Sequence, residues 1–157
     1  ALEAIIDPAA YMSRFTMPKL VVDATGDEFF MQTDDADWWA DMPEPKARLM
    51  IQNAEHSLAT GVVEVLQGAV AWANAQITKE TVPTMTWNIS ADSSTITMTA
   101  STAPSKVTHW FAKTTSTARR DFRLLTGVKP CPGITVKGAC LNLYFYNKTT
   151  LAPTKGS

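Results

Sequence analysis

Two short apolar runs, each followed by a helical pattern, constrain this chain more than anything else in it. Lys19-Leu20-Val21-Val22-Asp23-Ala24 is introduced by Pro18 and closed by Gly26, which reads as a strand. Thr33 or Asp34 then caps a short helix through Asp37-Trp38-Trp39 that Pro43 ends. Arg48-Leu49-Met50-Ile51 is a second strand, followed by the loop Gln52-Asn53-Ala54-Glu55-His56. Ser57 is the expected N-cap of a longer helix whose apolar positions Leu58, Val62, Val65, Leu66, Ala69, Ala73 and Ile77 share one face. Strand, helix, strand, helix implies a parallel pair with a crossover. Parallel sheets are covered on both faces inside larger sheets, so two such strands are not a finished fold. The missing strands are expected from upstream sequence or from another chain. The N-terminus, Ala1 to Pro8, lacks the basic region of a signal peptide and reads as a sequence entered midway.

Near Pro83 the chain changes character, and period-two alternation with β-branched residues takes over. Thr86-Trp87-Asn88-Ile89 begins a strand, Ala91-Asp92-Ser93-Ser94 is a turn, and Thr95 to Thr99 and Lys106 to Ala112 alternate. Phe122 to Leu125 and Leu141 to Tyr146 are further candidates. Short strands separated by polar turns favour a small antiparallel β-sandwich. The division expected is residues 1–80 as an α/β domain and 81–157 as a β-sandwich-like domain.

Composition narrows the partners. With 45% hydrophobic and 18% charged residues the chain is globular rather than disordered. A net charge of -1 with no Lys/Arg stripe leaves no footprint for nucleic acid. No apolar run approaches the ~18 residues of a membrane span. Cys131 and Cys140 flank the Pro132-Gly133 turn, and Asn88-Ile89-Ser90 and Asn147-Lys148-Thr149 are N-glycosylation acceptors. Together they favour a secreted protein with a Cys131–Cys140 disulfide and glycans on Asn88 and Asn147. The alternative is two reduced cysteines and two unused acceptors in a cytosolic protein.

The residues with chemical potential sit after the strands. Asp27 follows the first strand and a glycine, and His56 lies in the loop after the second. That is the acid-then-histidine order of a nucleophile–histidine–acid triad. In such a triad the imidazole takes the nucleophile's proton, and the carboxylate orients the imidazole and stabilises its charged form. An exposed loop histidine is more often merely solvated. Asp34 and Asp35 are more simply first-turn helix residues, and Asp23, inside the strand, has to be buried or edge-facing. Phe29, Phe30, Trp38 and Trp39 beside Asp27 are candidates for an apolar pocket wall, with packing of the short helix onto the sheet accounting for at least half of them. His109, within an alternating strand, reads as structural. Two distant histidines and a cysteine pair give no metal-ligand spacing, and no cofactor motif is present.

Four stretches carry a longer pattern: Thr16 to Val22, Ala24-Thr25-Gly26-Asp27-Glu28-Phe29-Phe30, Trp38-Trp39, and Asn53-Ala54-Glu55-His56-Ser57-Leu58. In these the chain resembles the PhoPQ-activated pathogenicity-related proteins, a family that includes the secreted autocrine proliferation repressor type. The resemblance runs over residues 5–125, through Ala118-Arg119-Arg120-Asp121-Phe122-Arg123. It implies the C-terminal part of an α/β-hydrolase sheet followed by a small antiparallel β-sandwich, with Asp27 as triad acid and His56 as triad base. It also implies a nucleophile-bearing half upstream. No two glycines here lie four apart, so no Gly-x-Ser-x-Gly elbow exists in the chain, and Ser57 is better placed to cap a helix than to attack.

Three functions are compatible with these residues. In the first, Asp27 and His56 serve a peptidase- or esterase-type serine outside this chain. In the second, a secreted signalling or binding protein keeps the scaffold without turnover. In the third, the chain belongs to an extracellular assembly with a protein partner.

Overall fold

The computed structural model describes residues 2–114, 121–126, 134–141 and 146–152. A one-turn helix α1 (Glu3–Ile6) and a 3-10 turn (Pro8–Arg14), capped by Asp7 through its bond to the Ala9 amide, lead into β1 (Lys19–Ala24). β1 pairs in parallel with β2 (Lys46–Ile51), Val21 opposite Arg48 and Ala24 opposite Ile51. Between them lies a single 3-10 turn (Asp34–Asp37). It is held to the sheet by Arg48, which donates from Nε to Asp23 at 2.7 Å, from Nη1 to Asp35, and from Nη2 to the Gln32 carbonyl at 3.3 Å. Asp23 is thus tolerated inside a strand because a guanidinium on the neighbouring strand pairs with it.

The long helix starts later than Ser57. Leu58 takes a left-handed conformation (φ 59°), a 3-10 turn spans Ala59–Gly61, and α2 covers Val62–Thr78. Ser57 does not cap it; its hydroxyl donates to Glu55. α2 meets the sheet through its small residues. A Cβ on Gly61 would sit 2.2 Å from Ile51 Cγ2, and one on Gly68 2.4 Å from Leu49 Cδ2. A side chain at either glycine would require Ile51 or Leu49 to shift, more easily for the flexible Leu49 tip than for the β-branched Ile51. The core is Ala24, Ile51 and Ala54, with Val22, Leu49, Leu58 and Val65 packed around it. The expected apolar face is therefore split: Val65 belongs to the core, while Leu66 (59%) and Ile77 (79%) are exposed.

The later strands are β3 (Met85–Ile89), β4 (Ile96–Ala100), β5 (Val107–Phe111), β6 (Leu125–Thr126), β7 (Ile134–Val136), β8 (Ala139–Leu141) and β9 (Asn147–Leu151). β3 pairs with β4 and β5 with β9, both antiparallel, and β8 lies between β6 and β7. The expected strand Leu141 to Tyr146 falls largely on residues 142–145, outside the described residues.

The expected architecture of an α/β-hydrolase sheet followed by an antiparallel β-sandwich is corrected by these pairings. Among the described residues the parallel sheet stops at two strands, and the other strands form separate sheets of two, two and three. A sandwich needs two inner faces that bury each other. Every residue of β3 is exposed, Trp87 at 66%, as are four of the five in β4. Alternation here marks a strand, but its apolar positions face solvent.

Candidate functional site

Parallel strands end on the same side, so the loops leaving β1 and β2 are neighbours from the start. Their backbones continue to pair beyond the strands. The Thr25 amide donates to the Ile51 carbonyl (2.9 Å), and the Gly26 amide to the Ala54 carbonyl (2.9 Å). The Asn53 amide donates to Thr25 Oγ1 at 2.8 Å. A Cβ at Gly26 would lie 2.8 Å from the Ala54 carbonyl oxygen and 2.8 Å from Leu124 Cβ, so no other residue fits the junction without a shift.

One residue past that glycine, Asp27 is buried (9% exposed), while His56 on the other loop is 43% exposed. His56 Nδ1 stands 3.1 Å from both carboxylate oxygens of Asp27. The carboxylate is itself fixed, because Asp27 Oδ1 accepts from the amides of Phe29 (2.7 Å) and Phe30 (2.9 Å). Glu28 accepts from the His56 amide at 3.3 Å. An ionised carboxylate can only accept, so the bond requires the imidazole proton on Nδ1. That tautomer leaves Nε2 of a neutral ring as an acceptor, and Nε2 has no hydrogen-bond partner among the described residues. An imidazole held at one nitrogen and open at the other can take a proton from a group presented to it.

The same residues fall inside a family match. The model for PhoPQ-activated pathogenicity-related protein matches residues 1–123. The chain is also 34% identical over 163 residues to autocrine proliferation repressor protein A of Dictyostelium discoideum, covering 98% of this chain. The chain belongs to the PhoPQ-activated pathogenicity-related family. It spans 31% of the length of that Dictyostelium relative. No solved structure matches it.

In this family member the four aromatic candidates separate into two pairs. Phe29 and Phe30, both exposed, flank the histidine, with ring centroids 4.7 and 5.6 Å from that of His56. Trp38 and Trp39 pack on each other at 5.8 Å, and Lys46 and Arg48 lie over Trp39 at 5.0 and 6.0 Å. The tryptophans therefore buttress the 3-10 turn against β2. A cavity of about 300 Å³ adjoins Asp27, lined by Thr25, Met31, Gln32, Thr33, Phe122 and Arg123. None of the four aromatic candidates lines it. Phe122 and Arg123 arrive from a segment nearly a hundred residues away in sequence, and no local pattern ties them to Asp27.

Arg123 donates to Asp121 from Nε (2.8 Å) and Nη2 (2.5 Å), and this pairing raises its pKa above the ordinary arginine value. His109 stacks on Phe111 within β5, centroids 5.4 Å apart. Asn88 and Asn147 are exposed on β3 and β9. Cys140 is buried, and Cys131 lies outside the described residues. No helix among the described residues is long and apolar enough to cross a membrane.

Proposed function

We propose that Asp27 and His56 form the acid–base half of a hydrolytic site whose nucleophile, a serine of peptidase or esterase type, is supplied from outside this chain. The observation that carries the reading is the 3.1 Å approach of His56 Nδ1 to a buried, doubly amide-bonded carboxylate, with Nε2 open. In the reaction His56 Nε2 takes the hydroxyl proton as the oxygen attacks an acyl carbon, then returns it to the leaving group. Asp27 keeps the proton of the other nitrogen in place and stabilises the imidazolium. The outer edges of β1 and β2 carry no strand among the described residues. We propose that polypeptide belonging to the remainder of a longer protein pairs there and brings the nucleophile.

A second reading is a secreted regulator of proliferation that retains the dyad without turnover. It is favoured by the name of the Dictyostelium relative. In either case we propose an extracellular protein with a Cys131–Cys140 disulfide and glycans on Asn88 and Asn147. We also propose two domains meeting near residue 80, and an extracellular protein as partner.

The deciding experiment is ester turnover by the natural full-length protein and by its His56→Ala and Asp27→Asn variants. The catalytic reading expects losses of about 10⁶-fold for His56→Ala and about 10⁴-fold for Asp27→Asn, as when a triad base or its acid is removed. Turnover that persists undiminished in both variants overturns it. Inhibition of cell proliferation by the wild type and both variants alike, without turnover in any, establishes the second reading instead.

A further inference from the structure

The loops that carry Asp27 and His56 are joined a second time, by a residue that no local pattern connects to either. Tyr146 immediately precedes β9 and lies 93 residues beyond Asn53 and 114 beyond Gln32. Its amide donates to Asn53 Oδ1 at 2.6 Å, and its carbonyl accepts from Asn53 Nδ2 at 3.1 Å. The Asn53 amide group thus pairs with the main chain of Tyr146 as a neighbouring strand would. At the other end, the Tyr146 hydroxyl accepts from Gln32 Nε2 at 2.5 Å and donates to Gln32 Oε1 at 2.8 Å. Asn53 stands three residues before His56, and Gln32 five residues after Asp27. One tyrosine therefore grips both loops, its backbone holding one and its hydroxyl the other.

Two further features suit these groups to the task. Asn53 has φ 59°, a left-handed conformation in which asparagine is enriched among the non-glycine residues. Burial raises the pKa of the Tyr146 hydroxyl, with the Gln32 hydrogen bond opposing it, so the hydroxyl keeps its proton and can both donate and accept. Phe122 and Leu124 add to the junction: the Leu124 amide donates to the Gly26 carbonyl at 2.8 Å, and the Phe122 ring lies 5.8 Å from that of Tyr146.

We infer that Asn53 and Tyr146 are positioning residues for the Asp27–His56 dyad, holding the acid loop and the histidine loop in register through a clasp supplied by the C-terminal region. The inference rests on the dyad reading above and adds to it a dependence on distant sequence. A three-ångström bond between two loops is only as constant as the loops' separation, and errors near an ångström at a catalytic group cost large factors in rate. The clasp restricts that separation by bonds additional to the strand pairing.

The test reads the dyad directly, without any substrate. In full-length protein labelled with nitrogen-15 in its histidines, the His56 Nδ1–H resonance is followed by NMR and assigned by its loss in His56→Gln. Wild type is expected to show a protected Nδ1–H signal that Asp27→Asn removes. Asn53→Gly keeps the left-handed backbone while deleting the amide, and Tyr146→Phe deletes only the hydroxyl. Each should speed exchange of the Nδ1 proton with water, and the double variant should lose the signal, while the methyl resonances of Ile51 and Leu49 stay in place. Asn53→Asp, which keeps the acceptor for the Tyr146 amide, should exchange more slowly than Asn53→Gly. A double variant that retains the wild-type signal with the core intact overturns the clasp and leaves the dyad standing. If the double variant unfolds, unchanged exchange in both single variants overturns the clasp equally. Absence of the signal from wild type, with an unchanged spectrum in Asp27→Asn, overturns the dyad reading and the clasp together.

Discussion

The β1–β2–α2 unit and the β3–β4 hairpin contain strands of nearly equal length, and the hairpin is the richer in β-branched residues, yet they persist for different reasons. In the first, Ile51 and Ala54 are enclosed and two glycines let the helix down onto the strands. In the second, all of β3 faces solvent. The hairpin relies on its ladder, with Trp87 opposite Met98 and Ile89 opposite Ile96, and on the hydrogen bonds of its turn. Cross-strand pairs of this kind contribute about 0.2–1 kcal/mol each, whereas enclosing one Ile side chain contributes about 1.5–3 kcal/mol. The Asp27–His56 pair sits on the enclosed unit, where geometry is over-determined, and not on the exposed hairpin.

The largest effect expected of that difference is at Ile51. Ile51→Ala removes the largest fully buried side chain among the described residues and should cost about 2–5 kcal/mol by chemical denaturation. A loss below about 1 kcal/mol would place the enclosed unit with the hairpin, among segments whose side chains count for little.

Next comes Gly61→Ala. Its new methyl would meet Ile51 Cγ2 at 2.2 Å, and overpacking of this kind costs about 1–3 kcal/mol. In an Ile51→Ala background the obstructing methyl is gone, so the penalty should shrink. Strict additivity of the two changes would show that the helix is held off the strand by something other than this contact.

How much of this was legible beforehand follows the same division. β1 and β2, their parallel pairing and the meeting of Asp27 with His56 could be read, because residues just past adjacent parallel strands share an edge whatever the rest of the chain does. The start of α2 could not, since Ser57 has a capping residue's identity but Leu58 takes a left-handed turn. Apolar periodicity does not mark where the helix meets the sheet, because the contacts with Ile51 and Leu49 fall at Gly61, just before α2, and at Gly68, which carry no hydrophobic signal. The contacts of Asn53 and Gln32 with Tyr146 are not legible in sequence: single polar residues in loops have no period, and these contacts span 93 and 114 positions. Alternation identifies β3 and β4 as strands but does not say whether their apolar side meets another sheet, and among the described residues it does not.

A smaller effect is expected in the hairpin. Ile96 is exposed and pairs with Ile89, so Ile96→Thr keeps a β-branched residue and should change stability by no more than about 0.5 kcal/mol. A cost near that of Ile51→Ala would mean that the hairpin face is covered in the natural protein, and would erase the contrast between the two regions.

The smallest effect expected is a titration, and it locates what closes the hairpin. Asp92 accepts from the Ser90 hydroxyl at 2.6 Å and the Ser94 amide at 3.1 Å through Oδ1, and from the Ser94 hydroxyl at 2.8 Å through Oδ2. These bonds, led by the Ser90 hydroxyl, lower its pKa from 3.8 to about 2. A carboxylate whose folded pKa is depressed favours the folded turn fully above the unfolded value, and that contribution fades as pH falls through the folded one. Between pH 3.8 and about 2, therefore, the amide resonances of Ile89 and Ile96 should move with Asp92 protonation while those of Ile51 stay still. Ser90→Ala should bring the midpoint back toward 3.8, and Ser94→Ala by a smaller step, in the order in which the two serine side chains lower it. An Asp92 midpoint near 3.8 in the unaltered protein would remove the turn as the hairpin's anchor and leave the cross-strand pairs to hold it alone.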